Sequence, residues 1–137
     1  MTEAAGIPIA VAIEGANRHD MKMVRATLES IQAERPEPTA GKPQGLSLDK
    51  GYDYPEVRDL AAEFKFTAHI RARGEEALAL KHEAGCRARR WVVERTHSWL
   101  NRFRCILIRW EKRADTYLAL LHLALGIITW RATGLLK

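Results

Sequence analysis

Several features that would place this sequence in a narrow class of protein are missing from it. It has only two cysteines, Cys86 and Cys105, without CxxC spacing, which predicts reduced thiols in a cytoplasmic protein and not a disulfide framework or a zinc site. The N-terminus has no basic segment followed by an apolar stretch, so no signal peptide is predicted. The most apolar segment, residues 117–130, is short for a membrane span and fits a buried helix.

The charge is unevenly distributed along the chain. The 137 residues are 47% hydrophobic, enough for the core of one domain or part of one, and carry a net charge of +5. Residues 86–113 hold nine lysines and arginines and two acids, a charge of +7, whereas the rest, with 13 basic and 15 acidic residues, carries −2. A basic block on a slightly acidic chain favours a polyanionic partner such as nucleic acid over the alternative, a solvated helix face.

Apolar runs and helical periodicity alternate along the sequence, and this order predicts an α/β fold with a partly parallel sheet. Asp20 and Asp115 are predicted to cap helices, and the leucine-rich last helix is predicted to be deeply buried. A polar, irregular loop is expected over 71–87. The predicted strands are 6–14, 46–49 and 66–70, and the predicted helices are 21–33, 54–64, 88–104 and 115–133.

The helix around Glu94 has two different faces when its residues are placed at 100° intervals. The apolar side, flanked by Val93 and Leu100, consists of Val92, Thr96, Trp99 and Phe103. The polar side, beside Glu94, consists of Arg90, His97, Ser98 and Asn101. A single carboxylate among such groups is either a salt-bridge partner, for Arg90 or Arg95, or a ligand for a cation.

Asp49 is the second carboxylate that the sequence singles out. It ends a predicted strand, where ligands of open α/β sheets collect, and Gly51 lets the backbone turn away. Glu94 follows 45 residues later. Two carboxylates brought together repel unless a cation lies between them, and Mg²⁺ or Mn²⁺ suits such oxygens. The alternative is that Asp49 only caps a turn.

Two blocks, 49–53 and 90–103, resemble those of bacterial insertion-sequence DDE transposases, which have an RNase H-like catalytic domain. The turn 15–20, the segment 109–112 and the segment 118–124 also look like that family, so the resemblance covers nearly the whole chain in order. The long block around Glu94 is specific, whereas the Asp49 block alone is weak.

The resemblance implies roles for individual residues. Asp49 matches the second catalytic aspartate and Glu94 the catalytic glutamate, both as Mg²⁺ or Mn²⁺ ligands. Arg90 matches the signature arginine, but Arg87 stands where tyrosine is usual and Asn101 where lysine or arginine is usual. The residues expected to contact DNA are Lys50, Arg87, Arg90, Arg95, His97, Asn101, Arg102 and Arg104.

No aspartate here matches the family's first catalytic aspartate, which ends a strand upstream of residues 6–14. Residues 1–137 are therefore expected to form the C-terminal part of the catalytic domain: an incomplete RNase H-like fold with a mixed sheet packed by helices and a helical C-terminus. The expected function is DNA transposition, by metal-dependent cleavage and strand transfer. The expected partners are DNA, an upstream reading-frame product that supplies the first aspartate, and further copies of the chain. The alternative is an inactive, truncated transposase that binds DNA or inhibits the full-length enzyme.

Overall fold

The computed structural model describes residues 1–15, 17–70 and 90–134, with only the backbone of Arg90 and Trp91. The chain forms two compact units. The unit that we call the β unit consists of Glu14–Glu29 and Ala33–Arg89, and the helical unit consists of Met1–Ile13, Ser30–Gln32 and Arg90–Lys137. The loop expected over 71–87 lies outside the described residues.

The β unit contains a small parallel sheet. It begins with a 3-10 helix, Asp20–Lys22, that leads into α1, Met23–Glu29. Strand β1, Gly45–Leu48, pairs in parallel with β2, Thr67–Ile70, with Leu46 opposite Ala68. Between the strands lie a 3-10 helix, Lys50–Tyr52, and α2, Pro55–Glu63. Parallel strands need a crossover of this kind, and the α/β class predicted from the sequence is confirmed.

Helical spacing explains the core of the β unit. Val57 and Ala61 are one turn apart on α2 and are 2% and 0% exposed. Pro55 begins α2, because its missing N–H is not needed in the first turn. The helix predicted over 54–64 and the strand predicted over 66–70 are both confirmed. The core side chains of this unit are Val24, Leu28, Leu46, Val57 and Ala61.

The helical unit is built from α3, Arg90–Leu100, the short α4, Arg104–Leu107, and α5, Ala114–Ala132. Its core cluster is Ile106, Leu121 and Ala124. The prediction that the last helix is deeply buried was wrong. Only a stripe of Leu121, Ala124 and Ile128 is buried, and Leu123 stays 61% exposed. Among the described helices, none is long and apolar enough to cross a membrane.

The strand predicted over 6–14 does not form. Its apolar sequence favours an extended chain, but a strand also needs a lateral backbone partner, and the described residues provide only an isolated bridge between Thr2 and Pro8. Ile9 and Ala10 instead donate their N–H groups to the carbonyl of Met1. Within the described ranges, the sheet is only parallel and has two strands, so the mixed sheet is not found there.

Neither predicted cap is the capping residue, and α1 ends at Glu29, before Ala33. His19 precedes the 3-10 helix and its Nδ1 accepts from the N–H of Met21 at 3.3 Å, so Asp20 is the first helical residue. Asp115 lies inside the first turn of α5, two residues after the capping residue Arg113. An acid is still favourable there, because the N-terminal N–H groups carry partial positive charge.

Candidate functional site

Asp49 directly follows β1 and lies on the surface of the β unit. Its Oδ1 accepts the N–H of Lys50 at 2.7 Å, which caps the 3-10 helix. The turn-capping role considered as the alternative is therefore present, and it uses one oxygen. Within the described ranges, no hydrogen bond or ion pair involves Oδ2. The capping bond thus fixes the carboxylate while one oxygen stays available to a ligand.

The turn before α1 lies beside the Asp49 segment. The rings of His19 and Tyr54 meet edge to face, with centroids 6.0 Å apart. Burial raises the pKa of Tyr52, and the nearby charges of Asp20 and Asp49 raise it further. Asp20 and Asp49 thus both lie close enough to Tyr52 to affect its pKa, a proximity that the sequence could not predict, because about thirty residues separate the two aspartates and no periodicity reports it.

Lys50 is engaged by a neighbouring carboxylate. Its Nζ donates to Asp53 at 2.6 Å, and Arg58 donates to the other oxygen of Asp53 at 2.7 Å. These hydrogen bonds lower the pKa of Asp53, and the one from Lys50 contributes most. The charge of Lys50 is therefore partly neutralised, which reduces what it offers to a phosphate.

Glu94 lies on the exposed side of α3. Its neighbours His97, Ser98 and Asn101 are also exposed, whereas Thr96 is buried and Trp99 is half-buried. The two-faced helix predicted from the periodicity is confirmed, except that Val93, placed beside the apolar face, is 50% exposed.

The salt bridge considered as the alternative for Glu94 is not seen among the side chains that the structure describes. No hydrogen bond or ion pair there involves its carboxylate. The guanidinium of Arg95 lies 4.7 Å from the centre of the Trp99 ring. The side chain of Arg90, the other candidate partner, lies outside the described atoms. The ligand role of Glu94 stays a prediction.

A buried contact two residues after Glu94 holds its helix. Thr96, 5% exposed, donates from Oγ1 to the carbonyl of Gly6 at 2.6 Å. Gly6 has a φ of +84°, and an added Cβ would lie 3.3 Å from the carbonyl oxygen of Val92. Glycine is therefore required for the N-terminal turn to approach α3 this closely.

The other predicted DNA contacts are placed as follows. Arg95, Arg102 and Arg104 are exposed in the helical unit. His97 and Asn101 are also exposed and border a cavity of that unit. Arg87 lies outside the described residues. A basic surface on the helical unit is thus available to a polyanion.

The two candidate carboxylates belong to different units, Asp49 to the β unit and Glu94 to the helical unit. Their joint participation in one metal site stays a prediction. Across residues 1–15, 17–70 and 90–134, no group of three or more His, Cys, Asp or Glu side chains forms a metal site. Cys105 is a free, exposed thiol, and Cys86 lies outside the described residues.

Comparison with known proteins decides the family. The model of the transposase DDE domain matches residues 1–128. The chain belongs to the transposase DDE domain family. A Burkholderia cepacia protein named as a transposase for insertion sequence element IS402 is 35% identical over 137 residues, covering 95% of this chain. The chain spans 60% of the length of that relative. No solved structure matches this DDE-domain chain.

Proposed function

We propose that this chain acts in DNA transposition as part of a DDE transposase, with Asp49 and Glu94 as two of its catalytic carboxylates. The reaction would be metal-dependent cleavage and strand transfer of DNA by phosphoryl transfer. The observation that carries the proposal is that both carboxylates are exposed inside the region matching the DDE domain, and Glu94 makes no ion pair with any described residue.

The donor chemistry of both residues fits a hard divalent cation. Asp49 offers Oδ2 and Glu94 offers a complete carboxylate, and Mg²⁺ or Mn²⁺ prefers such oxygens. When bound, the ion would supply Lewis-acid activation of water or a hydroxyl and stabilisation of the leaving oxygen. The chain's own contribution is to hold Asp49 through the N–H of Lys50, and Glu94 through the buried bond that Thr96 makes on the same helix.

Basic residues of the helical unit would hold the DNA backbone. Arg102, in the turn after α3, and Arg104, the first residue of α4, are exposed and can contact phosphates without breaking a described ion pair. Lys50, by contrast, forms an ion pair with Asp53. We therefore assign the larger share of phosphate binding to the helical unit, with Lys50 contributing less. Arg87, Arg90, Arg95, His97 and Asn101 complete the proposed contact set.

The proposed architecture is an RNase H-like catalytic domain to which this chain contributes the second and third carboxylates. The parallel β1–α2–β2 arrangement with Asp49 at the end of β1 is compatible with it. We further propose that the first aspartate comes from an upstream reading-frame product and that the active form contains more than one copy.

A second candidate function rests on the basic surface alone. Exposed arginines bind DNA whether or not a catalytic site assembles, so the chain would then bind element DNA or inhibit a full-length transposase without cleaving. This binding function is favoured because Arg102 and Arg104 lie in the helical unit, whereas the candidate catalytic residue Asp49 lies in the β unit.

Cleavage of a labelled duplex that carries an end of the element separates the two functions. The purified chain is incubated with Mn²⁺, alone and with the upstream product added. We expect nicking that Asp49→Asn and Glu94→Gln abolish while DNA binding persists. The matched controls are Asp59→Asn and Glu56→Gln, which remove the same charges from exposed positions on α2 and should leave nicking intact.

Binding without nicking, under every one of these conditions, would disprove the enzymatic proposal and leave the binding function. Equal losses in the α2 controls would mean that net charge, and not the proposed site, controls the reaction.

A further inference from the structure

The loop between α4 and α5, residues 108–113, presents a tryptophan to the solvent. Trp110 is 79% exposed, the largest value among the large apolar side chains that the structure describes. Its ring makes no hydrogen bond, ring contact or cation–π contact with any described residue. Tryptophan is buried in most proteins, because it is large and mainly apolar. A ring this open therefore suggests a binding partner.

Contacts of Arg109 hold the loop beside Trp110. The Nε of Arg109 donates to the carbonyl of Glu111 at 3.1 Å, and its guanidinium lies 5.2 Å from the centre of the Tyr117 ring. Tyr117 belongs to α5, and its hydroxyl donates to the carbonyl of Ile106 in α4 at 3.4 Å. The residues on both sides of Trp110 are thus tied to the helices of this unit. The ring is therefore presented at a defined place.

The sequence around Trp110 is basic. Residues 104–113 contain four basic residues and one acid, a charge of +3. Arg104 and Lys112 are exposed and make no hydrogen bond or ion pair within the described ranges. Sites for single-stranded nucleic acid combine these two features, since bases stack on an aromatic ring while cations hold the phosphates.

We propose that Trp110 stacks on an unpaired base of DNA and that Lys112 contacts a phosphate beside that base. The inference rests on the proposed function, from which it takes DNA as the partner, and adds a contact to single-stranded DNA. Inside a duplex, neighbouring bases cover both faces of each base, so an indole ring stacks only on a base that has left the duplex stack. Trp110 would thus select DNA with unpaired bases.

A membrane surface suits this loop less well. Leu107 and Ile108 are also exposed, and basic and apolar residues together occur in proteins that bind membranes. Interfacial binding, however, uses a long amphipathic helix, whereas α4 has four residues and Trp110 lies in the loop after it. Stacking on a base requires only one accessible ring face.

Fluorescence anisotropy with two labelled DNAs tests the proposal. Both carry the same duplex and a single-stranded extension of the same length, which consists of thymidines in one and of abasic sugars in the other. The phosphates are therefore equal in number, and only the bases differ. The unsubstituted chain should bind the thymidine extension about fivefold or more tighter. Trp110→Ala should remove this preference, whereas Trp110→Phe should keep most of it, because phenylalanine retains a flat aromatic ring.

Two control variants separate stacking from other effects. Trp130→Ala removes a tryptophan that is 53% exposed on α5, where residues 117–130 contain no lysine or arginine, and should leave the preference unchanged. Lys112→Ala should weaken binding to both extensions equally and reduce the salt dependence by about one phosphate contact.

Equal binding of both extensions by the unsubstituted chain would overturn the proposal. A preference that persists in Trp110→Ala, or that Trp130→Ala removes equally, would overturn it too. Binding to phosphatidylserine vesicles that Trp110→Ala abolishes, with an unchanged preference for thymidine, would make the loop a membrane contact instead. These outcomes leave the proposed function intact, since that function fails only if element-end DNA is never nicked.

Discussion

Thr96→Val removes the hydroxyl that joins the N-terminal turn to the Glu94 helix and keeps nearly the same shape. Thr96 is 5% exposed and its Oγ1 lies 2.6 Å from the carbonyl oxygen of Gly6, which is also buried. In the valine variant this carbonyl loses its partner without gaining water. The expected loss in the free energy of unfolding is about 1–3 kcal/mol.

Urea denaturation followed by tryptophan fluorescence measures this loss, because all four tryptophans belong to the helical unit. With a slope of about 2 kcal/mol per molar urea, the midpoint should fall by about 0.5–1.5 M. Thr129→Val is the matched control. The hydroxyl of Thr129 bonds the carbonyl of Leu125 within α5, which already accepts a helical N–H, so the loss should stay within about 0.5 kcal/mol. Equal losses in the two variants, or none in Thr96→Val, would refute this explanation of how the helix is held.

Three further predictions concern two glycines, Asp53 and the basic residues proposed to contact DNA. Gly6→Ala should destabilise by about 1–2 kcal/mol because φ is +84°, whereas Gly126→Ala, in open space on α5, should stabilise by about 0.5–1 kcal/mol, both measured by urea denaturation. The pKa of Asp53 is lowered in the folded state, so its carboxylate should stabilise the β unit fully above its ordinary pKa of about 3.9. This contribution should be lost as the pH falls through the lower folded-state pKa. NMR titration should show the loss, and Asp53→Asn should remove that part of the acid dependence of stability. Arg102→Ala should reduce the salt dependence of DNA binding by about one phosphate contact, and Lys50→Ala by less, as measured by fluorescence anisotropy at several salt concentrations.

Local signals in the sequence predicted the elements that carry the candidate site. The predicted strand 46–49 and the predicted helix 54–64 match β1 and α2, and the position of Asp49 between them was predictable from the sequence. Helical periodicity gave the two faces of the Glu94 helix, since each face depends only on neighbours three or four residues away.

Features that depend on distant residues were not predictable in the same way. The strand over 6–14 required a lateral partner that the local sequence does not specify, and Ile9 and Ala10 bond the carbonyl of Met1 instead. The cap before α1 depended on which of two adjacent polar residues reached the N–H of Met21, and His19 did so. The burial of α5 depended on how many of its sides other residues cover. The leucine content of the helix does not indicate this number.

Paramagnetic broadening by Mn²⁺ in NMR spectra tests most directly whether Asp49 and Glu94 hold the same ion. At substoichiometric Mn²⁺, we predict that the amides of Lys50 and Gly51 and those of Arg95 and His97 broaden together, with one apparent affinity. Glu94→Gln should then weaken the broadening at both places, by about tenfold or more in affinity. Broadening at only one of the two places, or broadening near Asp49 that is unchanged in Glu94→Gln, would contradict a shared metal site.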